Sequence, residues 1–132
     1  MSKFNPQANG LEVVVSSEAE GLVVSASGEV DLSTISTFEP PIMQVVSDLM
    51  DGPADLTMTI DLTHVEFIDS CGLAVLLKAR SSTRDCGRDF KVVLGRNSQP
   101  ARVMKLGRFD TLMAMHYIDD PSGALSLASA PI

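Results

Sequence analysis

Thr59–Leu77 reads T-I-D-L-T-H-V-E-F-I-D-S-C-G-L-A-V-L-L. A β-branched, apolar run ends in an acidic turn at Asp69, a serine follows, and the apolar spacing then becomes helical. A strand that feeds directly into a helix is the building unit of a parallel sheet. Ser70 then stands at the carboxyl end of a strand and the start of a helix, the edge where open α/β sheets collect ligands. A phosphate on that hydroxyl is expected to meet free backbone N–H groups and the positive end of the helix dipole. Serine is also a preferred N-cap, so a plain capping role explains Ser70 from geometry alone. Gly72, inside the first helical turn, costs up to about 1 kcal/mol relative to alanine. That cost is explained if something must approach the backbone closely there.

Upstream, residues 1–10 are polar, with Pro6, Asn9 and Gly10, and read as a flexible tail. Leu11–Val15 and Leu22–Ser27 read as two strands joined by a short polar connection, an antiparallel hairpin. After Asp31, Ser33 and Thr34 are N-cap candidates for a helix with apolar residues at Ile35, Phe38, Ile42, Val45, Val46 and Leu49. Pro40 and Pro41 interrupt that helix while its apolar stripe continues in phase. The expectation is one kinked helix or two short collinear pieces, ended by Asp51-Gly52-Pro53.

Leu56–Leu62 reads as a third strand with Met58, Ile60 and Leu62 on one face, and Val65–Ile68 extends it to the acidic turn. A second helix runs from Ser70 to about Cys86, with Gly87 past its end. Phe90–Leu94 reads as an inner strand. Ser98 caps a third helix that ends at Gly107, and Leu112–Ile118 is a last strand. Residues 121–132 form a C-terminal segment with a possible short helix over Ala124–Ala128. The fold class is α/β: a mixed, mostly parallel β-sheet with packed helices, in the order β-β-α-β-α-β-α-β, as one domain over 11–120.

The chain has 132 residues, 45% of them hydrophobic, enough to build a core without disulfides. Its net charge of −7 argues against nucleic acid as a partner, since phosphate binding wants clustered Lys and Arg. The same acidity also serves solubility alone. No apolar run reaches the roughly 20 residues that span a bilayer, and MSKFNPQANG has no apolar core for a secretory signal. A cytoplasmic protein without a membrane partner is the expectation.

Cys71 and Cys86, 15 positions apart on one helix, lie about 22 Å apart and exclude an internal disulfide. Without nearby histidines they make no zinc site, so no metal is expected. A helix N-terminus can lower the Cys71 thiol pKa, but adjacent carboxylates oppose this, and small buried filler is the better reading. His64 and His116 are isolated, and Met104, Met113 and Met115 read as core filling. There is no G-x-S-x-G elbow to make Ser70 a nucleophile. There is also no G-x-x-x-x-G-K-[ST] or G-x-G-x-x-G phosphate loop. Neither an enzyme nor a cofactor is expected.

The remaining candidates are Asp31, three residues past Gly28, and Asp69, with Glu29, Asp61 and Glu66 as an acidic rim. G-E-V-D at 28–31 followed by F-I-D-S-C-G-L at 67–73 resembles the STAS domain family, in particular bacterial anti-sigma factor antagonists. The resemblance in element order covers roughly residues 10–120. It implies a partner-switching protein whose serine, here Ser70, is phosphorylated by an anti-sigma factor that is itself a serine kinase. It also implies that the unphosphorylated form binds that kinase and frees a sigma factor, and that a metal-dependent serine phosphatase restores the serine. By the same resemblance Asp31 is the acidic loop residue that helps bind the kinase, with Asp69, Ser70, Cys71 and Gly72 at the contact. An alternative within the family is a regulatory subunit of a lipid transport or stress-signalling complex. Two positions depart from the family pattern: Cys71, where Ser or Thr is common, and Pro40-Pro41 in a helix that usually runs on.

Overall fold

The six strands lie in the sheet in the order in which the chain makes them, β1 to β6. The computed structural model describes residues 2–8, 10–19 and 21–119. Three strands open the chain: β1 (Ser2–Ala8), β2 (Leu11–Ser17) and β3 (Gly21–Val30), paired antiparallel in succession. They are followed by α1 (Ile35–Asp51), β4 (Thr57–Ile68), α2 (Ser70–Asp85), β5 (Phe90–Gly95) and α3 (Gln99–Leu106). A 3-10 turn over Phe109–Thr111 leads into β6 (Ala114–Ile118). Pairings β3–β4, β4–β5 and β5–β6 are parallel. The expected mixed, mostly parallel α/β sheet is therefore present, and the hairpin and three crossover helices fall where the sequence places them.

One expectation needs correction, and one open choice is decided. The segment read as a tail over 1–10 instead contributes an edge strand, with Ser2, Lys3 and Phe4 in register with Val15, Val14 and Val13. Its register breaks between Phe4 and Ala8, around Pro6, as an edge position tolerates. Polar composition hid it, because the open edge of β2 supplies the pairing rather than any apolar pattern of its own. Of the two readings open for the proline pair, the single helix is the one present: α1 runs from Ile35 to Asp51 as one element with Pro40 and Pro41 inside it. Phe38, Ile42, Val45, Val46 and Leu49 are all buried along its inner stripe. That packing outweighs two missing amide donors. The possible helix over Ala124–Ala128 lies outside the described residues.

One core joins alternate residues of four strands to the helices: Leu11 and Val13, Val24 and Ala26, Met58, Ile60 and Leu62, and Phe90, Val92 and Leu94. Phe38, Ile42 and Leu49 of α1, Val75, Leu76 and Ala79 of α2, and Ala101 and Met104 of α3 close the same cluster. Right-handed crossovers that all step the same way put the helices on one face of a sheet. All three helices consequently begin at the carboxyl ends of parallel strands. Among the described residues no helix is long and apolar enough to cross a membrane.

Candidate functional site

β3 and β4 end side by side. Val30 and Ile68 are register partners, and the Asp69 N–H donates to the Val30 carbonyl at 3.0 Å. Asp31 and Asp69 are the next residues on strands about 4.8 Å apart, so their turns leave the sheet together. Gly28 aims the first of these turns. Its φ is +119°, and a Cβ there would stand 2.0 Å from the Gly10 carbonyl oxygen. A side chain is excluded on both grounds.

Asp69, not Ser70, is the N-cap of α2. Its Oδ1 accepts from the N–H of Cys71 at 2.9 Å and of Gly72 at 3.4 Å. The Leu73 N–H already donates to the Asp69 carbonyl at 3.0 Å. The expectation that a phosphate on Ser70 would meet free N–H groups is thereby corrected. Two of the first-turn donors are held by a carboxylate, which would compete with a phosphate and repel it. Ser70 sits at the first helical position with an exposed side chain, as a modification site requires.

The Asp31 turn is tightly cross-bonded. Asp31 Oδ1 accepts from the Ser33 hydroxyl at 2.7 Å and from the N–H of Ser33 at 2.9 Å and of Thr34 at 3.2 Å. Buried Thr34 takes the Asp31 N–H on its own Oγ1 at 2.9 Å and donates that hydroxyl to the Glu29 carbonyl, also at 2.9 Å. The Ser33 and Thr34 hydroxyls therefore do not cap α1 as the sequence suggested. Thr34 holds the cap position, but no side chain bonds the first turn from there. The hydroxyls instead shape the turn that presents Asp31. The Ser33 hydroxyl, helped by the Ser33 and Thr34 amides and only partly offset by burial, holds the Asp31 carboxyl below its ordinary range.

Gly72 is buried, and its neighbours belong to the protein itself. A Cβ on residue 72 would meet Val30 Cγ1 and Ile68 Cγ1, each at 2.6 Å. The close approach inferred from this glycine is real, but the approaching atoms are side chains of β3 and β4, so Gly72 itself offers no contact to a partner. Cys71 is a half-buried free thiol beside the cap. Asp61 does not join the rim. It pairs with Ser25 and Val93 in mid-sheet, roughly 20 Å down β4 from Ile68, and its Oδ1 accepts from the Thr63 N–H and hydroxyl. Glu29 and Glu66 are exposed near the strand ends, as expected of rim residues.

Sequence reading missed three residues here. Leu32, 74% exposed, directly follows Asp31, and Phe67, 40% exposed, is the register partner of Glu29. Leu32 lies between elements and Phe67 stands alone at the outer end of β4, so neither belongs to an apolar periodicity that would flag it. The third is Gln99, whose Oε1 accepts from the Ile68 N–H at 2.9 Å while its Nε2 donates to the Ile68 carbonyl at 3.1 Å. Its partner lies 31 residues away, beyond the reach of any local pattern.

The model of the STAS domain family matches residues 10–121. An anti-sigma factor antagonist from Mycobacterium paratuberculosis superposes with a TM-score of 0.71 at 28% identity, covering 84% of this chain and 89% of that one. A putative anti-sigma factor antagonist from Thermotoga maritima gives a TM-score of 0.60 at 23% identity, over 80% and 86% of the two chains. A STAS domain protein from Planctomyces limnophilus gives 0.55 at 18%, over 83% and 93%. No curated protein sequence matches at a significant level. With the fold, the paired turns and the family match in agreement, the chain belongs to the STAS domain family.

Proposed function

We propose that this protein is an anti-sigma factor antagonist controlled by phosphorylation of Ser70. In its unmodified form it docks on an anti-sigma factor serine kinase through the turns at Asp31 and Asp69–Ser70, and so releases a sigma factor. The observation that carries the reading is the exposed Ser70 hydroxyl, one residue past a cap carboxylate and beside the Asp31 turn. The antagonist from M. paratuberculosis, with 28% identity over most of both chains, supports the same assignment.

The switch follows from electrostatics. A phosphoserine carries about −1.5 to −2 charges at neutral pH. Two unit charges about 6 Å apart repel by roughly 3 kcal/mol at an effective dielectric of 20. In the free protein, water screens that repulsion. Once a partner covers the site, the phosphate is desolvated beside Asp31 and Asp69, and a cost of about 3 kcal/mol weakens binding roughly a hundredfold. A metal-dependent serine phosphatase would reverse the modification.

The test is incubation with the cognate anti-sigma kinase, magnesium and ATP, followed by mass spectrometry. One phosphate on Ser70 is expected. Modification elsewhere, or none by any candidate kinase, overturns the reading. Capture of a transporter ATPase in place of a kinase from cell extract would point to the transport-complex role instead.

A further inference from the structure

β4 has a strand on each side for only part of its length. Its pairing with β5 runs from Met58 to Asp61, whereas its pairing with β3 continues to Ile68. Alternate residues of a parallel strand turn their N–H and C=O groups to opposite sides. Asp69 turns its N–H to Val30 of β3, and Ile68 turns both of its backbone groups the other way, toward α3. There Gln99, the first residue of α3, stands in for the missing strand. Its carboxamide meets the Ile68 N–H at 2.9 Å and the Ile68 carbonyl at 3.1 Å. Only Asn and Gln carry a carbonyl and an NH₂ on one planar side-chain group, so only they reproduce the edge of a peptide unit. The backbone at 68–69 is thus held from both sides, one residue before Ser70.

We propose that Gln99 is a positioning residue for the phosphoacceptor. By fixing Ile68 it fixes the direction in which α2 leaves the sheet, and with it the place of the Ser70 hydroxyl. The proposal rests on the reading of Ser70 as the acceptor. In that step Ser70 Oγ bonds to the γ-phosphorus of ATP as the bond from that phosphorus to the departing ADP oxygen breaks. The hydroxyl proton leaves to a base of the kinase. Such a transfer depends on alignment, and a misplacement of about 1 Å costs as much as a hundredfold in rate. Asp31 and Leu32 belong to the neighbouring turn, whereas the hydrogen bonds of the Gln99 carboxamide go to Ile68. Docking also uses that second turn, so loss of the clamp acts more on kcat than on KM.

Two variants separate the effects. Gln99→Met keeps the length and removes both polar groups. Gln99→Glu, ionised, keeps the acceptor for the Ile68 N–H and loses the donor. Amide hydrogen exchange by NMR and phosphorylation kinetics with the anti-sigma kinase are the readouts. Exchange at Ile68 is expected to rise about tenfold in Gln99→Met and to fall between that and wild type in Gln99→Glu, with Ile60 unchanged. Ser70 phosphorylation is expected to lose about tenfold in kcat in Gln99→Met, with KM within twofold. Equal exchange at Ile68 in all three proteins overturns the proposal. So does a raised KM with kcat kept, or faster exchange at Ile60 in step with Ile68, which would make the residue merely structural. A wild-type chain that the kinase leaves unphosphorylated at Ser70 overturns the parent reading instead, while the exchange measurements decide the clamp on their own.

Discussion

Val30 fills the space that a side chain at residue 72 would need: its Cγ1 stands 2.6 Å from the position of a Cβ there. The end of β3 and the first turn of α2 are therefore in direct contact across the site. Because Val30 is fully buried and β-branched, it has little freedom to yield. Gly72→Ala gains up to about 1 kcal/mol of helix propensity and incurs about 1–3 kcal/mol of overpacking. With that gain set against the cost, a net destabilisation of up to about 2 kcal/mol is expected in urea unfolding. A stabilised Gly72→Ala would show that the two turns are not locked together.

Ser70→Ala removes the modification site and leaves an exposed, uncharged first helical residue. It is expected to bind the anti-sigma kinase as tightly as unmodified wild type and to stay bound when ATP is added. Ser70→Asp carries part of the phosphate's charge and is expected to bind ten- to a hundredfold more weakly. Isothermal titration of both variants decides the matter, and equal affinities would remove the electrostatic switch.

Asp69 has a structural duty that is separable from its charge. Asp69→Asn keeps an oxygen for the Cys71 and Gly72 amides, and Asp69→Ala does not. The alanine variant is expected to lose about 1 kcal/mol of stability, and the asparagine variant only a few tenths. With the cap kept and one charge gone, phosphorylated Asp69→Asn is expected to retain more affinity for the kinase than phosphorylated wild type. Thermal unfolding and titration report the two effects separately.

The Asp31 carboxyl is depressed chiefly by the Ser33 hydroxyl. A depressed carboxylate adds stability that is present above the ordinary aspartate range and is lost as the pH falls through its folded pKa. Ser33→Ala is therefore expected to raise the Asp31 midpoint toward the ordinary value in a carbon-13 NMR titration. Its stability deficit should vanish once the pH is low enough to protonate Asp31 in the wild-type fold. An unchanged midpoint would mean that the backbone amides and the Thr34 hydroxyl hold the carboxylate without Ser33.

Leu32 is 74% exposed, so truncating it costs the fold little. Placed beside Asp31, it is expected to anchor the partner. Leu32→Ala should weaken kinase binding by about 1–2 kcal/mol while the melting temperature stays put. Unaltered binding would place the interface elsewhere on the molecule.

Much of the fold was legible because its signals are local. The three- and four-residue spacing of Phe38, Ile42, Val45 and Leu49 marked α1 in spite of two prolines, and the Ser98 hydroxyl does cap α3, accepting from the Ala101 N–H at 3.2 Å. The D-S-x-G-L turn placed Ser70 correctly at a strand-to-helix corner. What escaped was set by distant partners. β1 is a strand because β2 offers it an edge, and Asp69 is the cap because β4 runs on to Ile68 and brings that carboxylate over the first turn. Gly72 was read as space for a visitor because sequence alone does not show that Val30 and Ile68 already occupy it.

A sheet laid down in chain order keeps the two halves of the sequence on opposite sides of the molecule. Among the described residues, those up to Leu77 carry eleven acidic side chains and one basic, and those from Lys78 to Asp119 carry four acidic and nine basic. The protein is thus an electric dipole across its width, negative on the β1–β4 side and positive toward β5 and β6. Such a body experiences a torque in the field of a charged neighbour before any atoms touch. It arrives already turned, and added salt, which shortens the reach of that field to a few ångströms, makes encounters slower and less well oriented.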